Sequence, residues 1–378
     1  MKIAIIGAGI GGLTTALALR RRGLDAEVYE RAPELAEVGA GIWIPPNAMQ
    51  VYERLGVDRD LVERSLSLRA IEVVNTAGEV FQRVELAPFR REFGFSTQSI
   101  HRAVFQRCLA EHLGGARVHF GRECASVREE GGRPRVTFTD GSAVEADVVL
   151  GADGLRSKVR EYVLPGVALR DSGQTCFRGV ATLRLPEGEH DLCREVWGDR
   201  HRFGYAAIDA DRVYWFAPVS KPFDASGPDA KPALETLYAD FPQRVREILA
   251  ATDAGAILRT DLADFEPIER WSRGRVAILG DAAHATTPNL GQGAAQAAES
   301  AYVLARALAT HDTPEEAFAA YARARMEKAH HVTRAAFSFG RAAHLPDGLL
   351  SSVRDFALKA TPRGLQDQQL HRLYALGY

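Results

Sequence analysis

The feature that most constrains the fold is a glycine-rich turn close to the start of the sequence. Residues 2–6 (KIAII) have the pattern of a short buried strand, GAGIGG follows, and 13–22 have an apolar helical pattern. In this GxGxxG spacing, Gly7 permits a tight turn, Gly9 lets a pyrophosphate approach the backbone, and Gly12 lets helix and strand pack closely. The pattern predicts a Rossmann-like unit that holds a dinucleotide at the helix N-terminus.

The next strand pattern, AEVYE, ends in an acid where such a domain contacts ribose. Glu30 lies eighteen residues beyond Gly12, and its carboxylate can accept hydrogen bonds from the adenosine ribose hydroxyls. The carboxylate would repel a 2′-phosphate, although Arg31 follows it. The motif therefore predicts bound FAD or NAD and leaves the choice between them open. Gly11 and Arg31 are expected at the cofactor with the other residues of the motif.

Composition and charge exclude some classes of partner. The 378 residues carry a net charge of −2, with 46% hydrophobic and 25% charged residues. Without a strong positive charge there is no long-range field to attract nucleic acid or anionic lipid. The sequence contains no run of about 18 apolar residues, and the first strand leads into glycines, not into a signal-peptide cleavage site. We expect a cytoplasmic protein, a monomer or homodimer, that binds neither nucleic acid nor membrane.

The cysteines indicate neither a metal site nor a disulfide framework. Cys108, Cys124, Cys176 and Cys193 share no CxxC spacing and have no accompanying histidine cluster. We expect reduced, mostly buried thiols and no bound metal.

The pattern along the chain predicts an α/β fold in which a β-rich domain interrupts the nucleotide domain. Residues 68–86 alternate around a glycine turn, which predicts a hairpin, and TCFRGVATLRL, RFGYAAID and RVYWFAPV are typical of antiparallel strands. The buried strand RVAILG then restores the α/β pattern. We assign 1–67, 95–165 and 270–330 to the nucleotide domain, 68–94 and 166–269 to the inserted sheet domain, and 331–378 to C-terminal helices.

Three separated segments are predicted to form one site. They are GAGIGG with Glu30, GADGLRSKVR at 151–160, and GDAAHATTPNLGQG at 280–293. In this order they resemble the flavoprotein aromatic hydroxylases, the single-component FAD monooxygenases of the p-hydroxybenzoate hydroxylase type, nearest to the urate, salicylate and 3-hydroxybenzoate hydroxylase branch. The resemblance covers the chain to about residue 330. It implies a Rossmann-like FAD-binding domain of the GR2 type, FAD as cofactor and NAD(P)H as transient cosubstrate.

The third segment contains an acid and a loop of small residues. Asp281 follows a buried strand, where its carboxylate can bond ribityl hydroxyls of a flavin; a helix N-cap is the alternative. The loop has so little bulk that backbone N–H groups can reach the flavin pyrimidine ring, and the next helix directs its positive end there. The residues of this stretch expected at the cofactor are Pro288, Gly291, Gln292, Gly293, Ala294 and Ala295.

The resemblance adds further cofactor residues. Asp153 matches the DG pair that such hydroxylases place behind the cofactor, and Ser157 and Arg160 complete that pattern; a helix-capping role for Asp153 is the alternative. Arg102, in SIHRAVF, matches an arginine that many relatives place against FAD. His284 has no identifiable carboxylate partner, and we interpret it as a packed histidine.

Two residues of the inserted domain are candidates for contact with the substrate. Arg202 and Tyr214 match the substrate-binding arginine and tyrosine of the urate-hydroxylating branch, although ordinary sheet residues are the alternative. That branch has an acid where this chain has Asn289, which counts against urate. Strand alternation lets only some of the aromatic candidates for the pocket wall face inward. These candidates are Phe177, Trp197, Tyr205, Tyr214 and Trp215.

The function implied by the resemblance is hydroxylation of a small aromatic or heteroaromatic compound. Such enzymes use NAD(P)H and O2 and act through a flavin C4a-hydroperoxide, so that the cofactor carries the difficult chemistry. A flavin reductase or oxidase on the same fold is one alternative, and a binding module that has lost the flavin is another. The intact glycines, Glu30 and Asp281 argue against the binding module.

Overall fold

The computed structural model describes residues 1–35, 40–114 and 117–378. The strands, in chain order, are β1 Ile3–Ile6, β2 Ala26–Tyr29, β3 Gly41–Ile44, β4 Leu66–Ser67, β5 Ala70–Asn75, β6 Val80–Glu85, β7 Gln98–His101, β8 Val118–His119, β9 Cys124–Glu130, β10 Arg133–Phe138, β11 Ala143–Glu145, β12 Val148–Gly151, β13 Arg170–Thr182, β14 Leu192–Trp197, β15 Arg202–Ala207, β16 Arg212–Ser220, β17 Leu258–Asp264, β18 Ser272–Arg273 and β19 Val276–Ile278.

The helices alternate with the strands in the first third of the chain and follow one another at the C-terminus. They are α1 Ile10–Arg20, α2 Pro46–Leu55, α3 Asp58–Glu63, α4 Ala87–Phe93, α5 Arg102–Glu111, α6 Lys158–Val163, α7 Ala230–Leu237, α8 Gln243–Ala250, α9 Asp281–His284, α10 Gly293–Thr310, α11 Pro314–Ala343, α12 Leu349–Ala360 and α13 Arg363–Tyr374. Residue 330, where the nucleotide domain was expected to end, lies inside α11.

The nucleotide domain is built on a mainly parallel sheet. Within the described residues its strand order is β18-β19-β12-β1-β2-β8, and β1 pairs in parallel with both β12 and β2. The segments IAII, VVLG and VAI are buried throughout, as expected for strands covered on both faces. Because β1, β12 and β19 run in the same direction, Gly7, Ala152 and Leu279 follow them at one edge of the sheet.

Two glycines of the first turn are required by close packing. Gly7 has a φ of +103°, and a Cβ there would lie 2.4 Å from the carbonyl oxygen of Ala152. A Cβ on Gly12 would lie 1.9 Å from the carbonyl oxygen of Gly7. A side chain at either position would force β1, α1 and the segment after β12 apart, so only glycine fits.

The inserted domain is a larger sheet whose two faces have different neighbours. Its described strands have the order β17-β13-β16-β15-β14-β5-β6, and pairing is antiparallel except between β14 and β5. The hairpin expected at 68–86 is the pair β5 and β6. One face packs against α7 and α8 through a core that includes Phe203 and Trp215. The other face turns toward the nucleotide domain. The predicted α/β fold with an inserted, largely antiparallel sheet is confirmed.

Other sequence expectations concern cysteines and membrane spans. The four cysteines are buried free thiols, as expected. Across the ranges that the structure describes, no helix combines the length and the apolar composition needed to cross a membrane.

Candidate cofactor and substrate site

Two adjoining cavities lie along the edge of the nucleotide-domain sheet, and the second also borders the inserted sheet. The first has a volume of about 890 Å³ and opens at the carboxyl ends of β1, β2 and β12. The second, of about 480 Å³, extends toward the inserted sheet. Both are lined by Gly9, Arg102, Ala152 and Gly154, so they form one cleft. Of the residues expected at the cofactor, the cleft is lined by Gly7, Gly9, Gly11, Glu30, Arg31, Arg102, Asp153, Asp281, Pro288, Gly291, Gly293 and Ala294.

The backbone of Gly9 is open to the cleft. A Cβ added to Gly9 would have no neighbour within 4 Å, whereas one on Gly11 would lie 3.3 Å from the Cβ of Ala297. Gly9 is also the N-cap of α1 and provides no side-chain cap. The N–H groups of the first turn of α1 are therefore available to an anion at a helix N-terminus.

Glu30 lines the first cavity and is held by the backbone. Its Oε2 accepts a hydrogen bond from the Ala8 N–H at 2.6 Å, and its Oε1 accepts one from the Ala32 N–H at 2.9 Å. A carboxylate offers about four lone-pair sites, so each oxygen can accept a further bond from a ligand hydroxyl. Arg31 is exposed on the same wall.

Asp153 has a structural role that the sequence left as an alternative. Its carboxylate accepts bonds from the Ser157 hydroxyl at 2.5 Å and the Lys158 N–H at 2.8 Å, at the start of α6. Burial raises its pKa, and these bonds oppose that effect. Arg160 donates to the carbonyl oxygens of Leu155 and Ala282 and lies over the ring of Phe265. These bonds fix the conformation of residues 153–160. Asp153 and Arg160 of this segment also line the first cavity.

The side chain of Asp281 is exposed to the second cavity. It is the first residue of α9, and the N-cap of that helix is Gly280. Its carboxylate has no hydrogen-bond partner in the part of the chain that the structure describes, so the N-cap alternative has no support. Burial raises the pKa of Asp281, and the positive charge of Arg102 partly offsets this. An acceptor without a partner beside a cation suits a ligand with several hydroxyl groups.

The loop of small residues leads into the long helix α10. Gly291 has a φ of +61°, and α10 begins at Gly293. Gly293 and Ala294, in the first turn of α10, line the second cavity. Its N–H groups lack intrahelical acceptors. Ala295 is fully buried in the core and does not line the cavity.

The side chain of Gln292 belongs to a buried polar network, not to the cavity lining. Its Oε1 accepts bonds from Asn47 at 3.0 Å and from Gln296 at 3.1 Å. Asn47 also donates to Glu299 at 2.7 Å, and Glu299 pairs with Arg325 at 2.6 Å. This network holds the start of α10 in place through side chains that do not line the cavity.

His284 is a packed histidine, as interpreted from the sequence. It is buried, and its Nε2 lies 2.9 Å from the hydroxyl oxygen of Ser300. Burial is the main cause that lowers the pKa of His284 to about 3. The ring is therefore neutral at physiological pH.

The sheet side of the second cavity contains Tyr214 together with residues that the sequence analysis did not select. Tyr214 lies opposite Val180, and Phe216 lies opposite Arg178, so all four project from one face. Trp43 packs edge-on against Tyr214 and Phe216, with ring centroids 6.2 and 5.5 Å away. Burial raises the pKa of Tyr214 to about 12, so its hydroxyl stays protonated. The residues that sequence reasoning missed on this wall are Trp43, Arg178, Phe216, Leu258 and Thr260.

Arg202 shares a face with Tyr214 but lies elsewhere on it. Tyr214 is paired with Ala206, four residues from Arg202, which corresponds to about 13 Å along the strand. Arg202 is 1% exposed and does not line the cavity. Its Nη1 donates to Glu195 at 2.6 Å and its Nη2 donates to Asn289 at 2.5 Å. Arg202 thus links the sheet to the loop before α10.

Three of the aromatic candidates for the pocket wall lie on the opposite face of the sheet. Phe177, Tyr205 and Trp215 belong to the core against α7 and α8, and Trp215 is fully buried. Trp197 shares a face with Arg202 but packs with Phe339 of α11, outside the cavity. Only some of the five candidates were expected to face inward, and of these the cavity is lined by Tyr214. Strand pairing places Phe177, Tyr205 and Trp215 on the face against the helices, whereas Trp197 lies on the cleft-facing side but outside the cavity.

One group of potential metal ligands lies outside the cleft. In the described ranges, Asp60, Cys108 and His112 have ligand atoms within 4.8 Å of one another. The Nδ1 of His112 is 2.9 Å from the Cys108 carbonyl oxygen, and Arg64 lies 3.9 Å from Asp60. The histidine and the acid are therefore engaged within the protein.

The residues present fit a flavin dinucleotide along the cleft. The open backbone at Gly9 and the N-terminus of α1 suit a pyrophosphate, and Glu30 suits ribose hydroxyls. Asp281 suits a ribityl chain, and the first turn of α10 suits a ring that accumulates negative charge.

Comparison with known proteins gives a family and several close relatives. Residues 1–336 match the family described as FAD binding domain. The chain is 34% identical over 374 residues to aurachin C monooxygenase/isomerase of Stigmatella aurantiaca, covering 98% of this chain and 97% of that protein. It is 36% identical over 366 residues to 3-amino-4-hydroxybenzoate 2-monooxygenase of Streptomyces cremeus, covering 96% and 92%. Klebsiella pneumoniae HpxO complexed with FAD and uric acid has a TM-score of 0.92 at 29% identity, covering 100% of this chain and 97% of that chain.

Proposed function

Since the chain belongs to the FAD binding domain family of flavoprotein aromatic hydroxylases, we propose that it uses O2 and NAD(P)H to hydroxylate a small aromatic or heteroaromatic ring. The resemblance found in the sequence motifs is confirmed, and so are FAD as cofactor and the monooxygenase class. NAD(P)H as reductant is typical of this family.

The observation that carries the proposal is the continuity of the cleft. One end is lined by Gly9 and Glu30, and the other by Asp281 and the start of α10. The second cavity then continues to Tyr214 on the inserted sheet. A cofactor that spans this cleft would place its reactive ring beside a wall that can hold a second, smaller molecule.

The protein's part in the reaction is to bind, orient and exclude water. FAD, when bound, supplies the reduction by NAD(P)H and the activation of O2. Trp43, Phe216 and Leu258 give the substrate an apolar wall that limits water near the reacting atoms. The protonated hydroxyl of Tyr214 can donate a hydrogen bond that fixes the orientation of the ring.

Arg202 is proposed as a positioning residue. Its bonds to Glu195 and Asn289 support a role in holding the loop before α10, so it would act on substrate through that loop. Arg202→Lys, which keeps the charge but not both bonds, should shift the flavin reduction potential or the FAD affinity. If it instead changes only the substrate KM, direct substrate contact is the better assignment.

The substrate class is suggested by the relatives and limited by one residue. The relatives act on an aminohydroxybenzoate or are named for aurachin C, and HpxO binds uric acid. Asn289 replaces the acid of the urate branch and accepts a bond from Arg202 through its side-chain oxygen. This arrangement disfavours urate.

The test is a screen for substrate-stimulated oxidation of NADH and NADPH. The purified protein should be yellow, and acid precipitation should release all of its flavin, because the attachment is non-covalent. Urate, salicylate, 3-amino-4-hydroxybenzoate and 4-hydroxyquinoline form the first panel. A product that carries oxygen from isotopically labelled O2 would support the proposal. A flavin that is reduced and reoxidised without any oxygen transfer would favour a reductase or oxidase instead.

A further inference from the structure

The exposed apolar side chains of the protein are concentrated on one C-terminal helix. Of the nine large apolar side chains that are exposed in the described part of the chain, four lie on the 12-residue helix α12. They are Leu349, Leu350, Val353 and Phe356, with 80%, 65%, 55% and 73% of their surface exposed. Single exposed apolar residues are normal on a protein surface, whereas a contiguous group marks a surface that a partner covers.

The opposite side of α12 is packed against the rest of the protein. Ser351 is buried, and Leu358 packs against a cluster that contains Phe81 and Trp197. The guanidinium carbon of Arg354 lies 5.0 Å from the centre of the Trp197 ring. Residues 351, 354 and 358 are three or four positions apart, so they share one face of the helix. Because that face holds α12 on the protein, the apolar side chains on the other face are presented to the outside.

The exposed face has the residue spacing of two packed helices. Leu349, Val353, Phe356 and Ala360 are separated by four, three and four residues, and all four are exposed. Apolar residues that repeat in this way stay on one side of a helix and meet the equivalent residues of a neighbouring helix. These four residues are called the α12 seam. A second helix is the occupant that a narrow apolar stripe of this kind fits best.

Charges at the two ends of α12 favour one orientation of a second copy. Asp347 comes just before the helix and Lys359 lies in its last turn, and both are exposed. In an antiparallel pair, the Asp347 of each copy lies near the Lys359 of the other, and the helix dipoles are also aligned favourably. A parallel pair would place the two Lys359 ammonium groups side by side. Lys359 lies 3.7 Å from Glu79 of its own chain, but this pair is exposed and leaves the ammonium accessible.

The size of the exposed face fits a weak dimer. The four large side chains expose about 500 Å² on each copy, so pairing would cover about 1,000 Å² in total. This area is at the lower limit for specific interfaces between proteins. We therefore expect a dissociation constant on the order of 10 μM, with the dimer formed only at high protein concentration.

From these observations we propose that α12 is a homodimer interface, in which the α12 seam packs antiparallel against the α12 seam of a second copy. A twofold axis that crosses the helix near its middle generates this arrangement. Val353 then lies opposite Phe356 of the second copy, and Leu349 lies opposite Ala360. The interface is separate from the proposed reaction, since no residue of α12 lines either cavity of the cleft.

Sedimentation velocity of the FAD-containing protein tests the interface. Between about 1 and about 300 μM the wild-type protein should shift from monomer to dimer. Val353→Glu places two carboxylates in the apolar interface close to the twofold axis, and should raise the dissociation constant by about 10-fold or more. Val62→Glu is the matched control, because Val62 is also an exposed valine on a helix but lies on α3. The control should dimerise as the wild-type protein does, and both variants should keep their flavin.

Disulfide formation tests the orientation of the two helices. Leu349→Cys and Ala360→Cys proteins, prepared separately, should cross-link when they are mixed under mild oxidation, because the two positions face each other in the antiparallel pair. The two copies of position 349 would lie about 16 Å apart, which is too far for a disulfide. Neither variant should therefore cross-link with itself. The four native cysteines are buried, so they should not compete.

Several outcomes would overturn the inference. A wild-type protein that stays monomeric over the whole concentration range contradicts the dimer, and a dimer that Val353→Glu leaves intact contradicts the interface. Leu349→Cys protein that cross-links with itself contradicts the antiparallel orientation. A monomer that binds phosphatidylcholine vesicles, and loses this binding in Val353→Glu but not in Val62→Glu, would assign the face to a lipid surface instead.

Discussion

The two ends of the cleft are built in different ways. At the cofactor end, the residues that face the cavity follow neighbouring parallel strands: Gly9 comes after β1, Asp153 after β12 and Asp281 after β19. At the sheet end, the cavity is lined by alternate residues within antiparallel strands, such as Arg178 and Phe216. The first arrangement depends on where a strand ends, and the second on how distant strands are paired.

This difference predicts that substitutions at the two ends of the cleft change different properties of the protein. Changes at the cofactor end should alter flavin content. Changes on the sheet should alter stability if they fall on the face against α7 and α8, and substrate handling if they fall on the face toward the cleft. Four substitutions test this comparison, in order of decreasing effect.

The largest effect is expected for Trp215→Ala. The ring is fully buried, stacks on Phe203 at 5.3 Å, and donates to the Thr252 hydroxyl at 2.9 Å. Its removal leaves a cavity between the sheet and the two helices, and should lower the free energy of unfolding by about 3–5 kcal/mol. Chemical denaturation measures the loss, while the flavin content of the remaining folded protein should be unchanged.

Trp43→Ala is the control on the cleft side. Trp43 is only partly buried and lines the cavity. Compared with Trp215→Ala, its loss should therefore reduce the free energy of unfolding less and weaken the binding of aromatic ligands more. Equal destabilisation by the two substitutions would contradict the distinction between the two faces.

The next effect is the loss of FAD in Asp281→Ala. The substitution removes an acceptor expected to form charge-assisted bonds to the ribityl chain, worth about 1.5–3 kcal/mol, so FAD should bind about 10- to 100-fold more weakly. Titration of the apoprotein with FAD measures this. Asp153→Ala should instead act first on stability, by about 0.5–2 kcal/mol, because that carboxylate caps α6. A fully flavin-loaded Asp281→Ala protein would remove Asp281 from the cofactor site.

The cofactor end could be predicted from the sequence because its signals are local. A buried strand followed by glycines or an acid identifies Gly9, Glu30 and Asp281 without knowledge of strand pairing. The exceptions are residues whose side chains lie in the protein interior and not in the cleft. Ala295 lies in the core, and Gln292 bonds to Asn47, which is 245 residues away in the chain.

The sheet end could be predicted only in outline. The alternation in TCFRGVATLRL separates Phe177 from Arg178, but nothing local indicates which of the two faces the cleft. That choice depends on the pairing of β13 with β16 and on the helices that cover one face. Arg202 and Tyr214 were selected by resemblance, and the structure brings only Tyr214 to the cavity lining.

A smaller effect, confined to turnover, is expected for Tyr214→Phe. The hydroxyl contributes a single hydrogen bond, so kcat/KM should fall about 10-fold and more NAD(P)H should be consumed to form hydrogen peroxide. Flavin content should not change. Tyr205→Phe is the matched control, since Tyr205 lies on the adjacent strand but faces the helices. Normal coupling in Tyr214→Phe would contradict a role for the hydroxyl in orientation.

The smallest effect is on the pH dependence of stability and concerns Asp281→Asn. Burial raises the pKa of Asp281 in the folded protein above its unfolded value of about 3.9, so the folded state holds this proton more tightly. The contribution of the group to stability therefore falls as pH rises from below 3.9 through the folded pKa, and the loss is complete above that window. Asparagine stays neutral, so the Asp281→Asn apoprotein should melt at a higher temperature than the wild-type apoprotein at pH 7, and the difference should shrink as pH falls through the window. With saturating FAD the order should reverse, because the wild-type protein gains more from tighter binding. Equal melting temperatures of the two apoproteins at pH 7 would show that the charge of Asp281 does not destabilise the folded apoprotein.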